Sequence, residues 1–85
     1  MKRRRALDYR RHFERNPRIC AGEPVIKGTR VLVRTILASL AEGATVEEIL
    51  EDFPIITQDD VRAVIAFAAA SGEEDLPISQ APALA

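Results

Sequence analysis

The sequence predicts a mainly α domain: a three-helix core, its last two helices arranged as helix-turn-helix, preceded by a short β-ribbon. Three observations predict it. Apolar residues recur at helical spacing in three separate segments. Each segment is bounded by its own start and stop signals. Ahead of them, Gly22 to Val33 sets two glycines and a proline around short β-branched runs.

The ribbon comes first. Val25-Ile26 and Val31-Leu32-Val33 favour extended backbone, and Gly28 supplies a positive φ for a turn at Lys27-Gly28-Thr29. A phosphate-binding P-loop needs Lys followed by Ser or Thr directly after its last glycine. Here Lys27 precedes Gly28, so the stretch reads as a structural turn. Upstream, Tyr9 and Phe13 lie four apart and predict a weak helical stripe. Asn16-Pro17 stops it, and Arg18-Ile19-Cys20 is expected to pair with the ribbon as a strand.

The first helix carries Val33, Ile36, Leu37, Leu40 and Ala41 on one stripe and ends at Gly43. Thr45 to Glu48 is a capping box opening a second helix with Val46, Ile49, Leu50 and Phe53, stopped by Pro54. Thr57-Gln58-Asp59-Asp60 caps the third, whose stripe is read as Val61, Val64, Ile65 and Ala68, with Phe67 on its flank and an end near Ser71-Gly72. Three regions follow: a basic arm over 1–15, a folded domain over 16–72, and an acidic, mobile tail over 73–85.

Charge is strongly polarised. The net charge is -1, yet residues 1–18 carry +6, residues 19–41 carry +2 and residues 42–85 carry -9. A basic arm of this kind either meets an anionic partner or folds back on its own acidic half. Eighty-five residues hold one modest core, so a homodimer is expected, with Ala66, Ala68, Ala69 and Ala70 permitting close helix approach. No apolar run is long enough to span a bilayer, no signal-type segment is present, and the single cysteine fits a reducing cytoplasm.

Catalytic constellations are absent from the pattern. His12 and Cys20 are the only soft ligands, too few for a zinc site within one chain, and no third group orients them. His12 reads as a solvated arm residue and Cys20 as a small buried apolar one. The expectation is a non-enzyme without cofactor or metal. Candidate DNA contacts are Arg3, Arg4 and Arg5 in the arm, Lys27, Arg30 and Arg34 around the ribbon, and Gln58 and Arg62 at the start of the third helix. Asp59 and Asp60 would repel phosphates there. Arg30 has a rival structural role, an ion pair with an acid such as Asp52.

Asn16-Pro17-x-Ile19, Gly22-x-Pro24-Val25-Ile26-Lys27-Gly28-Thr29-Arg30-Val31 and Ile49-Leu50-x-Asp52-Phe53-Pro54-x-Ile56-Thr57-x-Asp59-Asp60-Val61 resemble the small prokaryotic "domain of unknown function 433" family. That family usually has Tyr at the place of Phe53 and Leu at that of Ile56. The resemblance runs from Asn16 to about Ala69 and leaves the arm and tail outside. It implies a homeodomain-like or winged helix-turn-helix, often dimeric. It also implies an antitoxin that masks a PIN-like ribonuclease toxin and represses its own promoter. The alternative is a dimeric interaction module that binds no DNA. After Arg62 no Lys or Arg remains, so the tail has no arginine to insert among a nuclease's carboxylates. Inhibition then falls to the basic arm or to a helical face.

Overall fold

The computed structural model describes residues 8–75. Two strands, β1 (Phe13–Glu14) and β2 (Val25–Ile26), precede three helices, α1 (Val33–Ala41), α2 (Val46–Asp52) and α3 (Gln58–Asp75). The strands are antiparallel, with Phe13 opposite Ile26 and Glu14 opposite Val25. Arg3, Arg4 and Arg5, like residues 76–85 of the expected tail, lie outside the described residues.

The ribbon turn forms where the residues demand it. Thr29 N–H donates to the Ile26 carbonyl at 2.9 Å, and Gly28, third in that turn, has φ +80°. A type II turn requires that sign at that place, which glycine supplies without a Cβ clash. Glu14 holds the turn from the neighbouring strand, its carboxylate accepting from Gly28 N–H at 2.9 Å. Across the turn, Ile26 N–H donates to the Val31 carbonyl and Val25 bridges Leu32. Val33 N–H then reaches back to the Pro24 carbonyl at 3.0 Å, so α1 starts directly on the ribbon.

The strand partner differs from the one expected. Arg18-Ile19-Cys20 forms no strand: Ile19 folds back to bridge Asn16, and Cys20–Gly22 is a 3₁₀ turn. Phe13–Glu14 pairs with β2 instead, and Tyr9–His12 is a 3₁₀ turn rather than the start of a longer helix. The stripe from Tyr9 to Phe13 survives as a ring contact, with centroids 6.2 Å apart. Residues 9–14 build ribbon and core wall, upstream of the boundary expected at residue 16.

Cys20–Gly22 is unusual: φ is 50° at Cys20, 56° at Ala21 and 83° at Gly22. Left-handed backbone costs an L-residue about 1–2 kcal/mol, so two non-glycine residues are held there by the hydrogen bonds flanking them. Gly22 N–H to the Ile19 carbonyl and Glu23 N–H to the Cys20 carbonyl are those bonds. Ala21 is exposed, so Ala21→Gly removes strain without opening a cavity. Urea titration is expected to show a gain of ~0.5–1 kcal/mol, after glycine's greater unfolded-state entropy is deducted.

Three helix ends are closed locally. At the end of α1, Ala44 N–H donates to the Ser39 carbonyl and Gly43 N–H to that of Leu40, a Schellman pair turning on Gly43 at φ +96°. Thr45 and Glu48 cap α2 reciprocally at 2.8 and 3.1 Å. Thr57 and Asp60 repeat the arrangement at α3, at 2.9 and 3.1 Å.

The core lies where the ribbon and the three helices meet. Ile26, Val33, Ile36, Ile49, Ile56, Val61 and Val64 form one buried cluster. Phe13, Leu37, Leu40, Leu50, Phe53 and Phe67 pack around it. In α1 the stripe behaves as expected except Ala41, which is exposed. In α3 it is rotated: Ala63 is buried and Phe67 packs on the core, while Ile65 and Ala68 face outward. α3 also runs on to Asp75, past the stop expected at Ser71-Gly72, so residues 73–75 are helical rather than tail. Isolated Gly72 lowers helix propensity by about 1 kcal/mol relative to Ala but does not by itself end a helix.

Candidate functional site

The aromatic residues of the first turn and strand assemble against α3. Tyr9, Phe13 and Phe67 form a triangle with centroids 5.9 to 6.2 Å apart. Tilted and edge-on ring pairs of this kind add roughly 0.5–1.5 kcal/mol each beyond area burial. Beside the triangle, Val33 and Leu37 project from one side of α1, one turn apart. Pro24 closes the remaining wall. The result is an open groove of about 410 Å³ with an apolar floor.

Its rim is charged. Arg10, Arg15 and Arg34 line the edge with Glu23. Glu23 is already engaged, its carboxylate accepting from Arg34 Nε at 3.1 Å. Both ends of that pair are exposed, so the bond adds little stability. Arg10 lies 5.8 Å over the ring of its neighbour Tyr9. Arg10 N–H donates to the Asp8 carboxylate at 3.3 Å, while neither the Arg10 nor the Arg15 guanidinium forms an ion pair among the described residues.

A second concavity, about 460 Å³, lies at the α1–α2 corner and is lined by Glu42, Gly43, Ala44, Glu48, Glu51 and Asp52. It has carboxylates and no large apolar side chain. No group of three or more His, Cys, Asp or Glu among the described residues is arranged to hold a metal ion.

The first turn is clamped to α3 by His12. Its Nδ1 lies 2.8 Å from Asp60 Oδ1, half-buried, and an N–H there must donate to the carboxylate. Asp60 therefore does two things: Oδ2 closes the cap of α3 on Thr57 and Oδ1 fixes the turn that carries Tyr9. Burial alone would raise the Asp60 pKa. The hydrogen bonds from His12 and Thr57, with the charge of His12, outweigh it and hold the carboxyl below its usual 3.8. The solvated His12 expected from sequence is thus corrected, because the residue that captures it is 48 positions away.

The other candidates are dispersed over several elements. Lys27 and Arg30 are exposed on the ribbon turn, and Gln58 and Arg62 are exposed on the first turns of α3. Arg34, counted as a phosphate contact, is the one engaged by Glu23. The Arg30–Asp52 ion pair does not form among the described residues. Cys20 is half-buried, its Sγ 3.6 Å from the Arg30 carbonyl, rather than a core residue. Arg10 and Arg15 escaped sequence reasoning; their positions beside Tyr9 and near Phe13 were the available signal.

Fold and groove define a small three-helix domain with an N-terminal two-stranded ribbon. The chain belongs to the DUF433 family, described as proteins of unknown function, which matches residues 14–68. The uncharacterized protein y4eO of Sinorhizobium fredii is 39% identical over 56 residues, covering 66% of this chain. The aligned part is 25% of that longer relative. The solved structure of a DUF433 member from Anabaena variabilis superposes with a TM-score of 0.64 at 28% identity. That match covers 74% of this chain and 62% of the other, so the chain spans less than two thirds of either relative. No helix among the described residues is long and apolar enough to cross a membrane.

Proposed function

We propose that this chain is the antitoxin of a type II toxin–antitoxin pair and neutralises a PIN-like ribonuclease in the cytoplasm by protein docking. The observation that carries the reading is the apolar, arginine-rimmed groove. It offers aromatic anchors where a partner needs them and cations where a carboxylate-rich nuclease surface would approach. The chain itself needs no cofactor and catalyses nothing. In this reading α2 and α3 serve as a helix-turn-helix of homeodomain-like or winged type. A homodimer forms through the outward face of α3, where Ile65 is 44% exposed beside exposed Ala68 and Ala69. The proposal requires a PIN-like ribonuclease encoded beside this gene, and its expression tests the reading: growth should stop with that nuclease alone and resume when this chain is co-expressed. Arrest that persists despite soluble co-expressed chain would contradict the proposal.

Promoter binding is the part of the reading with the most against it. Asp59 is exposed next to Gln58 on α3, and Glu47, Glu48, Glu51 and Asp52 make α2 acidic. Those carboxylates favour the alternative, a dimeric interaction module that leaves DNA alone. If DNA is bound, Lys27, Arg30, Arg62 and the arm must supply the phosphate contacts. Affinity should then fall steeply with salt. Deleting residues 1–5, which removes four cations, is expected to make the log–log slope shallower by about 3–4. Gel shifts at two salt concentrations measure it, and an unchanged slope would remove the arm from the interface.

A further inference from the structure

We propose that the first turn, Tyr9–His12, is a latched flap that opens and closes on an intact core, and that the groove exists only while the flap is closed. No particular partner is required, so this regulation of the groove is testable apart from the antitoxin reading.

The turn is lightly held. None of its 4 residues is buried, and Arg10 and Arg11 are exposed. None belongs to the buried core cluster, so withdrawing the turn leaves that cluster in place. The bonds that open it are long: Asp8 accepts from Arg10 N–H and from Arg11 N–H, both at 3.3 Å. Such geometry is usual in a short 3₁₀ turn. The turn is attached to the rest in three ways. The Tyr9 ring lies against Phe13 and Phe67. The His12 carbonyl accepts from Lys27 N–H on the ribbon at 2.8 Å. His12 Nδ1 meets Asp60 Oδ1 at 2.8 Å, the one side-chain hydrogen bond from the turn to a helix among the described residues. These contacts must offset the backbone and side-chain entropy lost when the turn is ordered, so its net stability is well below that of the core.

The latch has a fixed base. Asp60 Oδ2 accepts from Thr57 N–H at 2.9 Å, so the carboxylate stays aimed when His12 leaves, and the cap of α3 survives. Opening has a larger consequence for the groove. Tyr9 and Arg10 are two of its walls, and the Tyr9 ring covers Phe67. Swinging the turn out removes both walls and bares the Phe67 ring. Whatever enters the groove therefore contacts the closed form alone and shifts the turn toward closure. A force or ligand that draws the turn away dismantles the groove by the same coupling.

The test uses the full chain. It has one tyrosine, Tyr9, and no tryptophan, so tyrosine fluorescence reports this turn alone. In His12→Ala, acrylamide quenching of Tyr9 should rise about twofold or more while far-UV circular dichroism keeps the wild-type helix signal. His12→Asn carries an amide N–H donor in place of Nδ1 and should return quenching to the wild-type value. Wild-type quenching in folded His12→Ala, or no rescue by His12→Asn, would overturn the latch. A His12→Ala chain that loses its helices would overturn a flap separable from the core. Hydrogen exchange of the wild-type chain decides the same point without a variant. Lys27 N–H is bonded to the turn, and the adjacent Ile26 N–H is bonded to the Val31 carbonyl within the ribbon. Lys27 should be about tenfold or more less protected than Ile26 once intrinsic rates are divided out. Its exchange should barely respond to low urea, since opening the flap exposes little surface, whereas that of Ile26 should climb steeply. Equal protection with equal urea slopes would place the turn in the cooperative core and overturn the proposal.

Discussion

Ile36→Ala should lose about 2–5 kcal/mol of folding stability, much of what an 85-residue domain has. Ile36 is 0% exposed and sits in the cluster joining α1 to α2, α3 and the ribbon. Truncation removes buried methyl groups and leaves a cavity that four converging elements cannot all close. Ile55→Ala is the matched control. It deletes the same atoms from a side chain 65% exposed in the α2–α3 connection and should stay within about 0.5 kcal/mol of wild type. Thermal melts of the two variants check the core directly. Similar melting temperatures would mean that the described packing is not the packing of the protein.

Asp60→Ala should cost about 1.5–3 kcal/mol, because one carboxylate serves two elements. Its loss uncaps α3 at Thr57 and frees the turn carrying Tyr9 and His12. The pH dependence has a definite sign. The folded-state pKa of Asp60 lies below 3.8, so its contribution is complete above the ordinary aspartate range. It is lost as pH falls through the folded value. Wild type should therefore lose stability on acidification below about pH 4 by more than Asp60→Asn does, since asparagine keeps an acceptor but cannot titrate. Parallel stability curves for the two proteins would remove Asp60 as the acid-sensitive clamp. His12→Ala should reproduce the loss of the clamp while leaving the cap of α3 intact.

Interactions closed within four residues were legible in the sequence. Thr45 with Glu48, Thr57 with Asp60, Gly43 after α1 and Gly28 in the ribbon turn each act on neighbours, so residue type and spacing are sufficient to find them. The strand Phe13–Glu14 was not legible. Two residues carry no period, and their partner lies beyond a left-handed turn that no glycine pattern announces at Cys20 and Ala21. The phase of α3 was hidden for another reason. From Val61 to Ala70 every residue but Arg62 is apolar, so the sequence offers almost no contrast between faces. Tertiary packing chose Ala63 and Phe67 for the inside and left Ile65 out. The groove inherits both difficulties, since its walls come from the unread first turn and the rotated helix. Arg10 and Arg15 counted only toward the net charge of the arm until they were seen beside aromatic floor residues.

The most direct test of the functional account is a cleavage titration. The PIN-like ribonuclease proposed as the partner is held at fixed concentration with a labelled RNA, and this chain is added in increasing molar ratio. The account predicts a linear fall in cleavage rate to a sharp endpoint at a fixed small-integer ratio, as for a tight stoichiometric inhibitor. A cleavage rate unchanged at tenfold excess of folded chain would contradict it.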